Sequence, residues 1–401
     1  MYDFKTCPDR RNANSYKYND MLKRNPDVPE GIIPFSVADM EFKNAPEIAE
    51  GLKEYLDENV LGYTAPSKAF LDSIKGWLEK RHNYKIEKEW IQLSDGVVPA
   101  LGDFIRAMTK EGDGVIILSP VYYPFKKSIL LNNRKVVEVD LINNAENSAD
   151  LDGHTSAYSI DFEALEVAAS DKNTTLIIFC NPHNPVGRVW TREELRRVYN
   201  ICVKHDVFIV DDEIHNDLIM PGYEHTVMGA VAEDAGKHMG ICIAPSKSFN
   251  LAGMQTSAVI IQDPEVRKAF DDSRFKGYRG ATNALGMEAC RIAYTRCEKW
   301  LDECVDVIHE NAIYFTKFMN EHFPEIRIYP LEGTYLIWCD FRAWGMDTDE
   351  LEHFMTHEAF LFTDEGYLFG DAGKGFERFN LACPKHILED ALNRLLEARR
   401  Q

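Results

Sequence analysis

The sequence predicts an α/β protein in which a large, doubly wound and mostly parallel sheet is accompanied by a smaller α/β domain. Short apolar runs recur through the middle of the chain, helical stretches lie between them, and longer helical segments follow after about residue 286. Continuous apolar runs of this length are typical of parallel strands covered on both faces. We interpret the runs at residues 115–118, 176–180, 207–210, 240–244 and 258–261 as such strands.

The helical stretches carry their own boundary signals. Residues 191–205 predict a helix, and Thr191 with Glu194 forms the Thr-x-x-Glu pattern of a capping box. Helical segments also fill residues 286–322, and residues 334–341 have the pattern of a strand. A chain of 401 residues is long enough for two domains with separate cores. We predict a large domain at residues 46–286 and a small domain formed by residues 1–45 and 287–401.

Composition excludes several classes of function. The net charge of −20 argues against a surface that binds nucleic acid or anionic membranes, because such surfaces need basic patches. No apolar run has the roughly 18–20 residues of a membrane-spanning helix, and residues 1–18 lack the apolar centre of a signal peptide. The nine cysteines contain no Cys-x-x-Cys pair, which is typical of reduced thiols. We expect a cytoplasmic protein.

Two turns follow predicted strands at the place where open parallel sheets bind ligands. In the run Ser94-Asp95-Gly96-Val97-Val98 a glycine turn leads into a helix, whose free N–H groups and dipole favour a phosphate group. Taken alone, this pattern is equally typical of an ordinary turn before a helix. The run Asn181-Pro182-His183-Asn184-Pro185 contains two Asn-Pro pairs, which form a rigid turn able to present an amide side chain to a cleft.

A third segment, Asp211-Asp212-Glu213-Ile214-His215, places carboxylates after an apolar run. A protonated pyridine nitrogen and a metal ion are both suitable partners for such a carboxylate. The letters Asp-Glu-Ile-His also match a box of certain ATPases, but that interpretation needs a Gly-x-x-x-x-Gly-Lys-Ser/Thr loop upstream, which the sequence lacks. His353 and His357 have no accompanying glutamate in the metalloprotease position, so we predict no metal site.

The fourth segment carries Lys247, in the run Ala244-Pro245-Ser246-Lys247-Ser248, directly after an apolar stretch. A buried amine that loses its charge becomes a nucleophile for carbonyl groups. A glycine turn for phosphate, an asparagine turn, a carboxylate and a lysine thus follow one another in the chain. Pyridoxal phosphate uses all four, since it has an aldehyde, a phosphate and a basic ring nitrogen.

With these motifs the chain resembles the class I/II aminotransferase superfamily of pyridoxal-phosphate enzymes, which has the fold known as type I. More narrowly, it is similar to the MalY/PatB branch of carbon–sulfur β-lyases, often described as cystathionine β-lyases. The similarity runs from residues 33–42, Ile-Pro-Phe-Ser-Val-Ala-Asp-Met-Glu-Phe, to Arg378-Phe379-Asn380. The superfamily commonly has a serine and an arginine on the phosphate where this chain has Ala244 and Gln255.

The resemblance implies roles for individual residues. Lys247 is expected to form the imine with the cofactor and then to move the substrate proton, and Asp212 to pair with the ring nitrogen. Asn184 and His215 are expected beside the phenolate oxygen, and Tyr122 on the ring face. The residues expected to bind the cofactor phosphate are Gly96, Val97, Val98, Ser246 and, from the neighbouring subunit of a homodimer, Tyr63. Arg378 is expected to bind the substrate α-carboxylate.

The resemblance also implies the reaction. It predicts α,β-elimination of cystathionine, cysteine or other S-substituted cysteines to a thiol, pyruvate and ammonia. An aminotransferase on the same fold is the alternative, and no residue separates the two. A regulatory or binding protein that keeps the fold is a third reading, but such a protein has no need of Lys247, Asp212 and Arg378 together.

Overall fold

A seven-stranded mixed sheet forms the centre of the chain in the computed structural model, which describes residues 2–146, 157–277 and 283–400. The strands of the described residues are β1 (Ile91–Ser94), β2 (Gly114–Ser119), β3 (Lys135–Asp140), β4 (Ile142–Asn143), β5 (Tyr158–Ser159), β6 (Thr174–Cys180), β7 (Phe208–Asp212), β8 (Met239–Ile243), β9 (Ser257–Ile260), β10 (Arg327–Ile328), β11 (Leu336–Asp340), β12 (Asp364–Glu365) and β13 (Phe376–Asn380).

Helices cover both faces of this sheet. The α-helices of the described residues are α1 (Tyr16–Arg24), α2 (Pro46–Glu58), α3 (Lys68–His82), α4 (Val97–Met108), α5 (Pro124–Leu131), α6 (Phe162–Ser170), α7 (Arg192–Lys204), α8 (Pro245–Ser248), α9 (Pro264–Lys276), α10 (Ala284–Arg296), α11 (Glu298–His322), α12 (Thr348–His353) and α13 (Lys385–Arg400). The capping box at the start of α7 is confirmed, because Thr191 and Glu194 each bond the other's backbone N–H. None of these helices is long and apolar enough to cross a bilayer.

The central sheet has the strand order β1-β9-β8-β7-β6-β2-β3. All neighbours are parallel except β9, which runs antiparallel to both β1 and β8. The prediction of a parallel strand at residues 258–261 is therefore wrong in direction. Residues 244–256, which join β8 to β9, hold a one-turn helix and a 3₁₀ turn, whereas a parallel return usually needs a longer crossover helix. An apolar run reports burial of a strand but carries no information about its direction.

Strand β7 extends further than its apolar run predicts. It ends at Asp212, which pairs with Cys180 of β6 and Cys242 of β8. The two aspartates therefore lie within the strand, and successive side chains point to opposite faces of the sheet. Ile209 and Val210 already illustrate this, since they belong to two different hydrophobic clusters on the two faces.

A second sheet lies in the last third of the chain, with the order β10-β11-β13-β12. Its strands are antiparallel throughout. Its cluster of buried apolar side chains includes Phe35 and residues from Ala312 to Ala398. The first half of α11 packs into the larger cluster through Trp300 and Ile308, and its second half packs into the smaller one. The division of the chain into residues 46–286 and residues 1–45 with 287–401 stays a prediction.

Candidate active site

A cavity of about 180 Å³ lies at the carboxyl ends of β6, β7 and β8. Cys180 and Asp212 end two of these strands, and Lys247 follows the third in α8. This edge of the sheet is where open α/β sheets bind ligands. Nine of the eleven predicted site residues line the cavity: Gly96, Val97, Val98, Tyr122, Asn184, Asp212, His215, Ser246 and Lys247.

The N-terminus of α4 forms one end of the cavity. Gly96 is the N-cap residue and has a φ of +147°, a conformation that residues with a Cβ rarely adopt. The first turn of the helix contains no acidic side chain. The first N–H groups of a helix have no partner within the helix, and its dipole adds positive potential there. This end of the cavity is therefore suited to an anionic group such as a phosphate.

Lys247 is the cationic side chain of the cavity lining. Its Nζ donates a hydrogen bond of 2.7 Å to the Ala38 carbonyl. Burial lowers the pKa of Lys247 to about 8, although the nearby Asp39 carboxylate acts in the opposite direction. An appreciable fraction of the amine is therefore neutral near physiological pH, as a nucleophile toward a carbonyl requires.

Asp212 brings a carboxylate to the same cavity. Its Oδ1 accepts a hydrogen bond of 3.1 Å from the Ile214 N–H. Burial raises the pKa of Asp212 to about 7, while the same N–H and Lys247 act to lower it. A cationic partner in the cavity would relieve this cost and keep the carboxylate ionised. Asp211 does not line the cavity.

His215 adds a neutral imidazole. Burial, together with the charges of Lys247 and Arg378, lowers the pKa of His215 well below its ordinary value. Its Nδ1 is buried and has no hydrogen-bond partner among the described residues. Buried polar atoms in native proteins nearly always have partners, so this nitrogen is available to a polar atom of a ligand.

Tyr122 and Asn184 lie side by side on another wall. The Tyr122 N–H donates a hydrogen bond of 3.1 Å to the Asn184 carbonyl. Burial raises the pKa of Tyr122 above its ordinary value, so its ring is a neutral, largely apolar surface. The turn predicted from the two Asn-Pro pairs thus presents Asn184 to the cavity.

Arg378 lies behind the lining rather than in it. Its guanidinium donates to Asn184 Oδ1 at 2.6 Å and forms an ion pair with Asp364. It also lies over the ring of Phe369, with 4.7 Å from Cζ to the ring centroid. A guanidinium has five N–H donors, and the buried Nε of Arg378 has no partner among the described residues. Arg378 is thus held in place while it keeps donors for a further anion.

Tyr63, like Arg378, is a predicted site residue that does not line the cavity. It lies between α2 and α3, and its side chain is fully exposed. Val60 and Leu61, just before it, are exposed as well. A tyrosine next to two exposed aliphatic residues is an unusual surface for an isolated chain.

Some residues at the site could not be predicted from residue type and spacing. Ala38 acts through its carbonyl, and Tyr335 donates to the same oxygen at 2.8 Å. Asp364 meets Arg378 because the two are directly opposite in the antiparallel pair β12 and β13. Ala38 lies in residues 33–42, which carry the family resemblance, but a backbone contact leaves no mark in residue type. The pairing register of β12, which places Asp364 opposite Arg378, likewise cannot be predicted from two residues.

The donors fit pyridoxal phosphate. The N-terminus of α4 suits its phosphate, the Lys247 amine its aldehyde, Asp212 its ring nitrogen and the unpartnered His215 Nδ1 a further polar atom. A metal ion is less well served, because the described residues contain no group of three His, Cys, Asp or Glu side chains arranged to hold one.

Comparisons with known proteins agree with this geometry. The family model "Aminotransferase class I and II" matches residues 30–395. Cystathionine beta-lyase PatB of Bacillus subtilis is 38% identical over 91% of this chain and 92% of its own length. Protein MalY of Escherichia coli is 30% identical over 100% of this chain and 99% of its own.

Solved structures extend the comparison to the cofactor. Cystalysin from Treponema denticola, whose crystal structure contains pyridoxal 5'-phosphate, superposes with a TM-score of 0.95 at 47% identity. The match covers 100% of this chain and 99% of that structure. The predicted family and fold class are confirmed: the chain belongs to the class I and II aminotransferase family, in the branch of PatB and MalY.

Proposed function

We propose that the protein is a pyridoxal-phosphate-dependent carbon–sulfur β-lyase that converts cystathionine, cysteine or other S-substituted cysteines to a thiol, pyruvate and ammonia. The observation that carries this proposal is the buried Lys247 amine in one cavity with Asp212 and the N-terminus of α4. The similarity to cystathionine β-lyase PatB and to cystalysin supports the choice of reaction.

Each residue of the site has a proposed task. The N–H groups at the start of α4, around Gly96, Val97 and Val98, would bind the phosphate together with the Ser246 hydroxyl. Tyr122 would pack on the cofactor ring, and Asn184 and His215 would bind polar atoms of the cofactor. Asp212 would be the carboxylate partner of the cofactor's ring nitrogen. When bound, pyridoxal phosphate supplies an electron sink for the electrons of the substrate Cα–H bond.

Lys247 and Arg378 act on the substrate. Arg378 binds the α-carboxylate through the donors that Asn184 and Asp364 leave free, and thereby orients the Cα–H bond. The Lys247 amine takes the proton from Cα and becomes an ammonium group. Loss of the thiolate from Cβ then leaves the three-carbon fragment whose hydrolysis gives pyruvate and ammonia.

The reaction is tested by incubating purified holoenzyme with L-cystathionine and measuring pyruvate and free thiol. We expect pyruvate to form without any added keto acid. Amino transfer that depends on a keto acid, with no pyruvate from any thioether substrate, would identify an aminotransferase instead.

Arg378→Lys is expected to lower kcat/KM by roughly a hundredfold for every α-amino acid substrate, because misplacement of the reacting bond alone costs about that much. A lysine keeps the charge but cannot form the planar, bidentate pair with a carboxylate. The cofactor absorbance is expected to stay unchanged. Steady-state kinetics with cystathionine, cysteine and S-methylcysteine check this, and an unchanged kcat/KM would show that another group binds the carboxylate.

The proposal includes a homodimer whose sites are shared. The exposed side chains of Val60, Leu61 and Tyr63 support it, since Tyr63 is expected to reach the phosphate in the partner subunit. We expect Tyr63→Ala and Lys247→Ala subunits, each inactive alone, to regain activity when mixed, because one site of the heterodimer is then intact. Activity of mixtures and mass by light scattering measure this, and a fully active monomer would contradict it.

The partner and the compartment complete the proposal. The substrate is a small sulfur amino acid, and neither nucleic acid nor membrane is a partner. We place the protein in the cytoplasm, where thiols stay reduced. All nine cysteines are free in the structure, which supports this location.

A further inference from the structure

Residues 36–42 form a loop that we call the strap. The strap contacts the Lys247 amine through a backbone carbonyl. Its Ala38 carbonyl accepts hydrogen bonds from Lys247 Nζ at 2.7 Å and from the Tyr335 hydroxyl at 2.8 Å. A carbonyl oxygen has two lone pairs, and both are used here. The strap is therefore the place where the amine rests in this structure.

The strap is held from several sides by side chains bonded to its backbone. Asn380 Nδ2 donates to the Val37 carbonyl at 2.8 Å and to the Asp39 carbonyl at 2.7 Å. The Met40 N–H donates to Asn250 Oδ1 at 2.9 Å. Val37 has a φ of +55°, which is a genuine exception for a β-branched residue. These bonds fix the direction of the Ala38 carbonyl.

A charge cluster of Arg10, Lys17, Asp39 and Glu41 lies on the strap. Arg10 Nη2 is 2.6 Å from Asp39 Oδ2, and Lys17 Nζ is 3.1 Å from Asp39 Oδ1 and 2.9 Å from Glu41 Oε1. Burial acts to raise the pKa of Asp39, but Lys17 and Arg10 outweigh it and hold the pKa below its ordinary value. Asp39 is thus ionised, and the cluster contains two cations and two carboxylates.

We propose that the strap is a holding site for the free amine of Lys247, in which the Ala38 carbonyl accepts from the amine and the Asp39 carboxylate sets how readily it takes up a proton. Asp39 is a positioning residue here, since it acts on Lys247 rather than on the substrate. This inference rests on the proposed function, because it concerns the amine after the substrate has displaced it. The proton that the amine receives from Cα stays on nitrogen, and the resulting ammonium group donates a hydrogen bond to the Ala38 carbonyl.

Other charged and titratable groups face Lys247 from the elements around it, some of them in the cavity lining and the others directly behind it. They are Asp212 of β7, His215 after it, Asp364 of β12, Arg378 of β13, Tyr335 before β11 and Tyr122 before α5. Asp39 differs from them because its charge is balanced from outside the cavity, by Arg10 and Lys17. Arg10 does not line the cavity, and its side chain is 24% exposed. A change at Arg10 therefore alters Asp39 and leaves the lining intact.

The test measures how fast Lys247 is acetylated as a function of pH in the full-length chain freed of cofactor. Acetic anhydride reacts with the neutral amine only, and mass spectrometry of the Lys247 peptide gives the rate. We expect the wild-type rate to reach half of its maximum near pH 8. Circular dichroism and rebinding of pyridoxal phosphate report whether each variant is folded.

Two variants are expected to shift the midpoint in opposite directions. Asp39→Asn removes the attraction for the ammonium form, so we expect the midpoint to fall by about one pH unit and the rate at pH 7 to rise about fivefold. Arg10→Gln removes one of the two cations that balance the Asp39 carboxylate. The negative charge then favours the ammonium form of Lys247 more strongly, so we expect the midpoint to rise by about half a pH unit. Arg11→Gln removes the same charge at the next position, where the guanidinium contacts Pro29 instead, and is expected to shift nothing.

The directions of the two midpoint shifts distinguish an electrostatic effect of Asp39 from a general loosening of the fold. Shifts in the same direction for Asp39→Asn and Arg10→Gln, or none for either, would overturn the inference. If Asp39→Asn does not fold, the upward shift in Arg10→Gln alone decides. The labelling needs no turnover, so a protein without lyase activity that still shows opposite shifts would refute the proposed function and keep the holding site.

Discussion

A Lys247→Ala variant is expected to lose turnover by roughly 10⁴-fold or more, because it loses both the covalent attachment of the cofactor and the group that moves the Cα proton. The wild-type protein is expected to be yellow, and borohydride to trap the cofactor on Lys247. In the variant, borohydride should leave the polypeptide unlabelled. Absorbance spectra and peptide mass spectrometry after reduction measure both expectations.

The structure offers a matched comparison for this variant. Lys17 is also buried, but Glu41 and Asp39 outweigh the effect of burial and raise its pKa, so it stays an ammonium group. Lys43 is exposed and lies outside the cavity. Lys43→Ala is expected to keep normal turnover and a trapped cofactor. A reducible linkage at full occupancy in Lys247→Ala would assign the attachment to another lysine.

Asp212→Ala is expected to have the second largest effect, with turnover lowered by roughly 10²–10⁴-fold. Breaking one member of a buried ion pair costs about 3–5 kcal/mol, and each 1.36 kcal/mol corresponds to about tenfold in rate. Without the carboxylate the ring nitrogen would lack the partner proposed to keep it protonated. Turnover is to be compared at equal cofactor occupancy, measured by absorbance, so that weaker binding is not mistaken for slower chemistry.

Asp211→Asn is the control for that experiment. Asp211 is the preceding residue of the same strand and is also buried. By the alternation seen for Ile209 and Val210 it points to the opposite face of the sheet. Burial and the neighbouring Glu213 raise the pKa of Asp211 well above its ordinary value, and asparagine keeps the size of this side chain without its charge. We expect near-normal turnover. Normal turnover in Asp212→Ala with a defect in Asp211→Asn would exchange the two assignments.

The gathering of distant residues around one cavity could be predicted from the sequence because it follows from topology. Asn184, Asp212 and Lys247 each follow an apolar run, and parallel strands bring such ends to one edge of the sheet. Gly96 reaches the same edge after β1, which pairs with the antiparallel strand β9. The family, the fold class and the similarity to pyridoxal-phosphate lyases are confirmed by the comparisons. The roles of the individual residues stay predictions.

Other features lie beyond what residue types can tell. The direction of β9 depends on the short connection from β8, and its apolar run is the same whichever way it runs. The ion pair of Arg378 with Asp364 depends on the register of β12. The bond from Lys247 to the Ala38 carbonyl depends on a backbone direction that distant side chains fix. Each of these features depends on contacts between segments that are distant in the sequence.

Helix α11 has a mechanical consequence. Its 25 residues form a helix about 37 Å long at 1.5 Å per residue. One end of this helix packs in the larger hydrophobic cluster and the other end in the smaller one. The sheet that carries Arg378 therefore cannot rotate freely against the sheet that carries Asp212. Such a rotation would have to bend α11 or break the side-chain contacts at one of its ends. The second sheet also packs directly into the larger cluster through Leu336, Trp338 and Phe376, so both this packing and the stiff helix hold Arg378 at a set distance from the central sheet.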